Sequence, residues 1–108
     1  LSPAAHDEII GFVSQLTHAI AVSLMTCNED ENLQNYTGDS FRDLTRIARI
    51  NEKMWSELFL LNRQELIEQI DSFTAELLRM RGMLEREDRP ALEEMFIHST
   101  RRRALFDR

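Results

Sequence analysis

Leu66, Ile70, Phe73, Leu77, Met80 and Leu84 alternate spacings of four and three across nearly three heptads. Such an a/d seam marks a long helix suited to packing against a partner helix. A strand could not use it, because a period of two would scatter these residues over both faces. Asn62 with Glu65 offers a cap just before the seam, and Gly82 interrupts it at about 1 kcal/mol relative to Ala. Three glycines and two prolines in 108 residues leave little turn chemistry for a sheet. The sequence therefore predicts an all-α chain, a bundle of about five helices.

The remaining elements follow from similar signals. Ala4 to about Cys27 is nearly apolar all round after Glu8, as expected of a helix buried on most sides, in a core or an intimate interface. "NEDENLQNYTG" is polar and acidic and reads as a loop. Ser40 followed by Asp43 resembles a capping box opening a second helix, and Asn51 is placed to cap a third, "EKMWSELFLL". Asp88 and Pro90 precede a last helix from Ala91 to about Phe106.

Bulk properties exclude several classes. A net charge of −6 argues against nucleic-acid binding, which requires a broad excess of Lys and Arg. Cys27 is the single cysteine, so no internal disulfide forms and a cytoplasmic location is expected. No uninterrupted apolar run approaches the roughly 20 residues that span a bilayer, and no membrane partner is expected. The first residue is Leu1, which suggests a single domain cut from a longer protein. An apolar first helix and a long seam give more apolar surface than one small bundle covers, so a homodimer is expected.

Candidate sites each admit a plain reading beside a functional one. Asp7, Gly11, Ser14 and His18 form a narrow polar stripe along the first helix, with Gln15 adjacent. Buried polar groups need partners, so the stripe lines either a cleft or a satisfied core network. His6-Asp7 has no further ligands at matched spacing, and no metal site is expected. Arg101, Arg102 and Arg103 lie near a helix C-terminus, where the dipole favours cations. Cys27 has no basic neighbour in sequence to activate it. Glycines at positions 11, 38 and 82 cannot build a phosphate-cradling loop.

In "DSFRDLTRIARINEKMW", Arg42, Arg46 and Arg49 would share one face of a helix, beside Asp39 and Asp43. One reading is a solvated face whose ion pairs contribute about 0.2–0.5 kcal/mol each. The other is a carboxylate clamp, with the Arg46 stem partly buried and its guanidinium held by Asp43. Spacing leaves both open.

Three segments, "HDEIIGFVSQLTHAIA", "SFRDLTRIA" followed by "MW", and an Asn before a long helix, together resemble the C-terminal domain of the prephenate dehydrogenase family. The resemblance covers nearly the whole chain. It implies a C-terminal helical dimerisation and substrate-binding domain over residues 1–108, in an intertwined homodimer lacking the N-terminal Rossmann domain. The family converts prephenate to 4-hydroxyphenylpyruvate by oxidative decarboxylation, in tyrosine biosynthesis. The resemblance makes Arg46 the ligand of a substrate carboxylate. It places His18, with Gln15, Ser14 and Trp55, in the substrate pocket, and Arg42 and Asp43 at the cleft entrance, Asp43 orienting Arg46 or pairing across the dimer.

Three positions depart from the family pattern. Gln15 stands where a His is usual, with Thr17 for the usual Pro, and Ser40 replaces a Gly while keeping an N-cap. No catalytic residue is expected in this chain, because the family's catalytic His lies on the nucleotide-binding domain. NAD, or NADP, would bind there too, so the fragment is expected to be inactive alone. Tyrosine, which resembles the product, is a possible inhibitor. The alternatives are a helical dimerisation module without a ligand, and an arogenate dehydrogenase domain.

Overall fold

The computed structural model describes residues 1–107, and they are all-α, with no strand among them. They divide into two compact units, Leu1–Ile70 and Asp71–Arg108, with the boundary inside the longest helix.

The first unit opens on a rod of three consecutive helical pieces: α1 (Pro3–Ile10), a π-helical segment (Gly11–Leu16) and α2 (Thr17–Thr26). Ser2 starts it, accepting the Ala5 N–H at 3.1 Å, with Pro3 at the first helical position. By length and a mean hydropathy of 1.5 the rod is apolar enough to cross a membrane. Within this chain it buries Gly11, Gln15, Leu16 and Ala21. A polar side chain thus sits in the centre of the most apolar helix.

A loop containing a short 3-10 turn (Leu33–Asn35) leads to α3 (Asp39–Thr45), a second 3-10 turn (Arg46–Ala48) and α4 (Glu52–Leu61). The helix α3 and the turn after it both pack against α2. Asn51 caps α4 as expected, accepting the Met54 N–H at 3.0 Å. The expected Ser40 cap is not formed: Gly38 is the N-cap residue, and Ser40 is already inside the helix. The helix ends early for a local reason. The Thr45 hydroxyl donates to the Phe41 carbonyl at 2.7 Å, and the Arg46 N–H turns to the Asp43 carbonyl, tightening the chain into the 3-10 turn.

Helix α5 (Arg63–Glu85) starts beside Asn62, and its first turn brings in buried Leu66. The second unit holds the rest of α5 and α6 (Arg89–Ala104). Helix α5 ends in a Schellman motif, in which Asp88 N–H reaches the Met83 carbonyl at 2.9 Å and Glu87 N–H the Leu84 carbonyl at 3.1 Å. Glu87 takes the left-handed conformation there, φ 52°, where glycine is usual. Asp88 then caps α6 by accepting the Ala91 N–H at 3.1 Å. Apart from Met83, the described residues of this unit bury no large apolar side chain, and the seam residues Leu77 and Leu84 are 55% and 59% exposed. Its ion pairs lie on the surface: Arg79–Glu76, Arg81–Glu85, Arg86–Asp88 and Arg103–Asp107.

Candidate functional site

The polar stripe of the first rod faces α4 and the residue after it. Asn62 Nδ2 donates to the Asp7 carbonyl at 3.1 Å and to Gln15 Oε1 at 2.8 Å. Gln15 Nε2 donates in turn to the Leu58 carbonyl at 3.2 Å. One turn further along the rod, the His18 ring stacks on Trp55, with centroids 3.9 Å apart and planes 23° from parallel. Phe59 meets the other side of this cluster, edge-on to Trp55 at 6.0 Å. The order 7, 15, 18 on the rod runs against 62, 58, 55 on α4, so the two elements cross antiparallel and form a ladder. Gly11 lies inside it: a Cβ there would meet Asn62 Nδ2 at 3.5 Å, an ordinary contact.

The ladder engages the residues of the stripe in different ways. Gln15 is 5% exposed, and both its amide nitrogen and its oxygen are engaged within the chain. It belongs to a satisfied network, which is the only cheap way to bury an amide. Ser14 contributes its carbonyl, which accepts the Thr17 hydroxyl and His18 Nδ1, each at 2.7 Å. Since a carbonyl only accepts, His18 Nδ1 carries a proton, and Nε2 is the ring nitrogen left for other partners. The ring is half-buried, fixed on one face by Trp55 and at one edge by Ser14.

The π-helical geometry of Gly11–Leu16 lies within this arrangement. Such segments are rare and often mark functional sites, because they redirect side chains within an otherwise regular helix. Here the segment carries Gln15 and ends two residues before His18.

The arginine cluster differs from expectation. Because α3 stops at Thr45, Arg42, Arg46 and Arg49 do not share one helical face: Arg46 opens the 3-10 turn and Arg49 is extended. No ion pair joins Asp43 to Arg46, or Asp39 to Arg42, among the described residues. Within this chain Asp43 therefore makes no ion pair that would orient Arg46. Arg42 instead donates to the Gln34 carbonyl at 3.0 Å, tying α3 to the preceding loop. The two lie at the wall of an open cavity of about 250 Å³ with an apolar floor of Met25, Leu33 and Phe41. Arg46 is exposed, and its turn packs against α2, the helix whose first turn carries His18.

Sequence reasoning placed Asn62 as a helix cap and missed its larger part. Its side chain reaches back 47 and 55 residues to the rod instead of capping α5. The signal available was the pairing of two amides, one on the apolar helix and one at a helix junction. Nothing in their spacing related them. Elsewhere, His6 Nδ1 lies 3.9 Å from Asp7 Oδ1, with both side chains exposed, as in a solvated pair.

Comparison with known proteins gives a consistent picture. A family model described as the prephenate dehydrogenase dimerization domain matches residues 2–98. Prephenate dehydrogenase of Bacillus subtilis (strain 168) is 31% identical over 101 residues, covering 89% of this chain and 27% of that protein. Cyclohexadienyl dehydrogenase of Zymomonas mobilis is 29% identical over 109 residues, covering 95% of this chain and 37% of that protein. The chain thus spans about a quarter to two fifths of the length of these relatives. Among solved structures, prephenate dehydrogenase from A. aeolicus, in complex with hydroxyphenyl propionate and NAD+, superposes with a TM-score of 0.90 at 32% identity. That match covers 99% of this chain and 39% of the other. Synechocystis arogenate dehydrogenase shares the fold, with a TM-score of 0.88 at 18% identity over 98% of this chain and 41% of the other.

Proposed function

This chain belongs to the prephenate dehydrogenase family, through that family's dimerization domain, and from that premise we propose that it supplies half of a prephenate-binding cleft and the contact between two copies of the protein. The observation that carries the first part is the His18–Trp55 stack. It presents an ordered ring nitrogen beside an aromatic wall, suited to a small ring-bearing ligand with polar ends. Arg46 supports it as an exposed guanidinium without an ion-pair partner among the described residues, on a turn packed against the same helix. Such a guanidinium is free to take a ligand carboxylate with both nitrogens. In the proposed cleft His18 Nε2 meets a polar group of prephenate, Trp55 covers its apolar face and Arg46 holds a carboxylate.

The dimer reading rests on the exposed seam. Ile70, Phe73, Leu77 and Leu84 lie uncovered along one α-helix, in a chain matching a domain described by its role in dimerization. A second copy covers that seam.

On this reading the nicotinamide cofactor is bound by residues other than those of this chain. The three glycines, at positions 11, 38 and 82, are spaced too widely for a dinucleotide-binding G-x-G-x-x-G. The hydride step accordingly falls to those outside residues, and the chain alone is expected to turn over no prephenate. Tyrosine is expected to compete for the same cleft.

Isotope-labelled protein titrated with prephenate tests the cleft. The expected result is resonance shifts confined to the surroundings of His18 and Arg46 and lost in Arg46→Ala, with an affinity of about millimolar, near −4 kcal/mol. Shifts of equal size in Arg46→Ala, or none in the wild type at saturating ligand, would remove the reading. Arogenate titrated in parallel distinguishes the two substrates, and tyrosine added to the prephenate complex should reverse the shifts.

A further inference from the structure

The ladder between the first rod and α4 has two polar rungs and one aromatic rung, and only the aromatic rung lies at the proposed cleft. We propose that Gln15 and Asn62 are positioning residues, which set the register of α4 against the rod and thereby hold Trp55 on His18. The proposal rests on the cleft reading for its functional meaning, but its structural content is independent of any ligand.

The geometry supports this in three steps. A stack at 3.9 Å tolerates little sliding, yet neither ring is tied to the other by a directional bond. Leu58 is one turn beyond Trp55 on α4, and Gln15 one turn before His18 on the rod. The Gln15–Leu58 bond therefore fixes the axial offset of the two helices one turn from the stack. Asn62 completes the rung from the other side. Its amide donates to Gln15 Oε1, which fixes the amide orientation so that Nε2 faces the Leu58 carbonyl, and to the Asp7 carbonyl one helical stretch earlier. Asn62 thus satisfies the Gln15 oxygen, and the Leu58 carbonyl satisfies the Gln15 amide nitrogen, so Gln15 is buried with no donor–acceptor mismatch.

Their chemistry also distinguishes them from ordinary packing. Leu58 offers its backbone carbonyl, so the register is read from the main chain of α4 and does not depend on that side chain. Asn62→Asp keeps the shape but removes the donor, and it would set carboxylate oxygens against Gln15 Oε1 and the Asp7 carbonyl. Gln15→Met keeps the volume and removes both bonds.

Trp55 is the single tryptophan of the chain, so its emission reports this stack alone. The experiment compares wild type, Asn62→Asp, Gln15→Met and a control, Phe41→Leu in α3, without ligand. The readouts are Trp55 fluorescence, the ring-proton shifts of His18 and far-UV circular dichroism, followed by the prephenate dissociation constant. Both ladder variants are expected to keep their helix content, to lose the upfield ring-current shift of the His18 protons and to change the Trp55 emission. Prephenate binding should weaken about tenfold, the equivalent of one ordering hydrogen bond. The control, lowered in stability away from the ladder, should keep both signals.

If His18 and Trp55 keep wild-type signals in either folded ladder variant, or if Phe41→Leu shifts them equally, the assignment is overturned. Should Asn62→Asp fail to fold, Gln15→Met and Asn62→Ala carry the same readouts. If none of the three folds, the residues are structural in general and the positioning role is rejected. A loss of the stack without any wild-type prephenate binding would sustain the positioning role while removing the cleft reading.

Discussion

The two units of this chain are built on opposite terms. In Leu1–Ile70 a rod and a short helix are joined through buried amides and an aromatic stack, around Leu16, Ala21 and Leu66. In Asp71–Arg108 two helices carry surface ion pairs and an uncovered apolar seam, with Met83 as the buried apolar residue. Surface pairs contribute little, since solvent and salt screen them, whereas buried apolar area and satisfied buried amides contribute the bulk of stability. The first unit is therefore organised by contacts within the chain. The second has the composition of a surface that another molecule completes.

Truncating leucines of similar chemistry should expose that contrast. Leu16→Ala, at a position 3% exposed, is expected to cost about 2–5 kcal/mol in urea denaturation, with the same loss at every protein concentration. Leu77→Asp, on the exposed seam, should leave the first unit's His18 and Trp55 signals in place. It should raise the dimer dissociation constant by about tenfold or more in sedimentation analysis, and its effect on melting should grow with dilution. If Leu77→Asp proves silent in sedimentation, the second unit is complete by itself and the contrast fails.

Smaller effects sharpen the comparison within the second unit. Glu87→Gly relieves a left-handed residue at the Schellman turn and should stabilise by about 1 kcal/mol in thermal melts. The Arg79–Glu76 pair is bidentate, with both N–O distances at 2.9 Å, and exposed. The hydrogen bond from Arg79 holds the Glu76 carboxyl below its ordinary value of 4.5. Any stability the pair lends is therefore present above 4.5 and is lost as pH falls through the lowered value. Glu76→Gln should leave the melting temperature at about pH 7 almost unchanged and flatten its decline on the acid side. A large loss at neutral pH would mean that this surface is less solvated than its exposure implies.

The helices were legible because their signals are local. The 4/3 spacing from Leu66 to Leu84 announced α5, and Asn51 and Asp88 capped the helices they were expected to begin. The family resemblance, carried by "HDEIIGFVSQLTHAIA" and "SFRDLTRIA", agrees with the match over residues 2–98. What escaped was decided by competition between local partners or by distance. Thr45 back-bonding ended α3 before Arg46 reached a helical register with Asp43, so the expected ion pair had no geometry to form in. Asn62 preferred two acceptors far away in sequence to the cap beside it. Gln15 was expected in the substrate pocket with His18; the partners of its buried amide, the Leu58 carbonyl and Asn62, were not legible in its spacing.

The π-helical stretch Gly11–Leu16 has a further consequence, which concerns chain length and not composition. A turn of this kind is an α-helix carrying one extra residue, and each residue of an α-helix advances the face by about 100°. Removing one residue between Gly11 and Leu16 would leave a regular, equally apolar helix with its two flanks still in phase, whereas removing one from α1 or α2 would rotate everything on one side of the gap away from its partners. Substitutions there test side chains one at a time. A single deletion tests phase, and by that measure the rod is most tolerant within its π-helical stretch and least tolerant in the regular helix on either side.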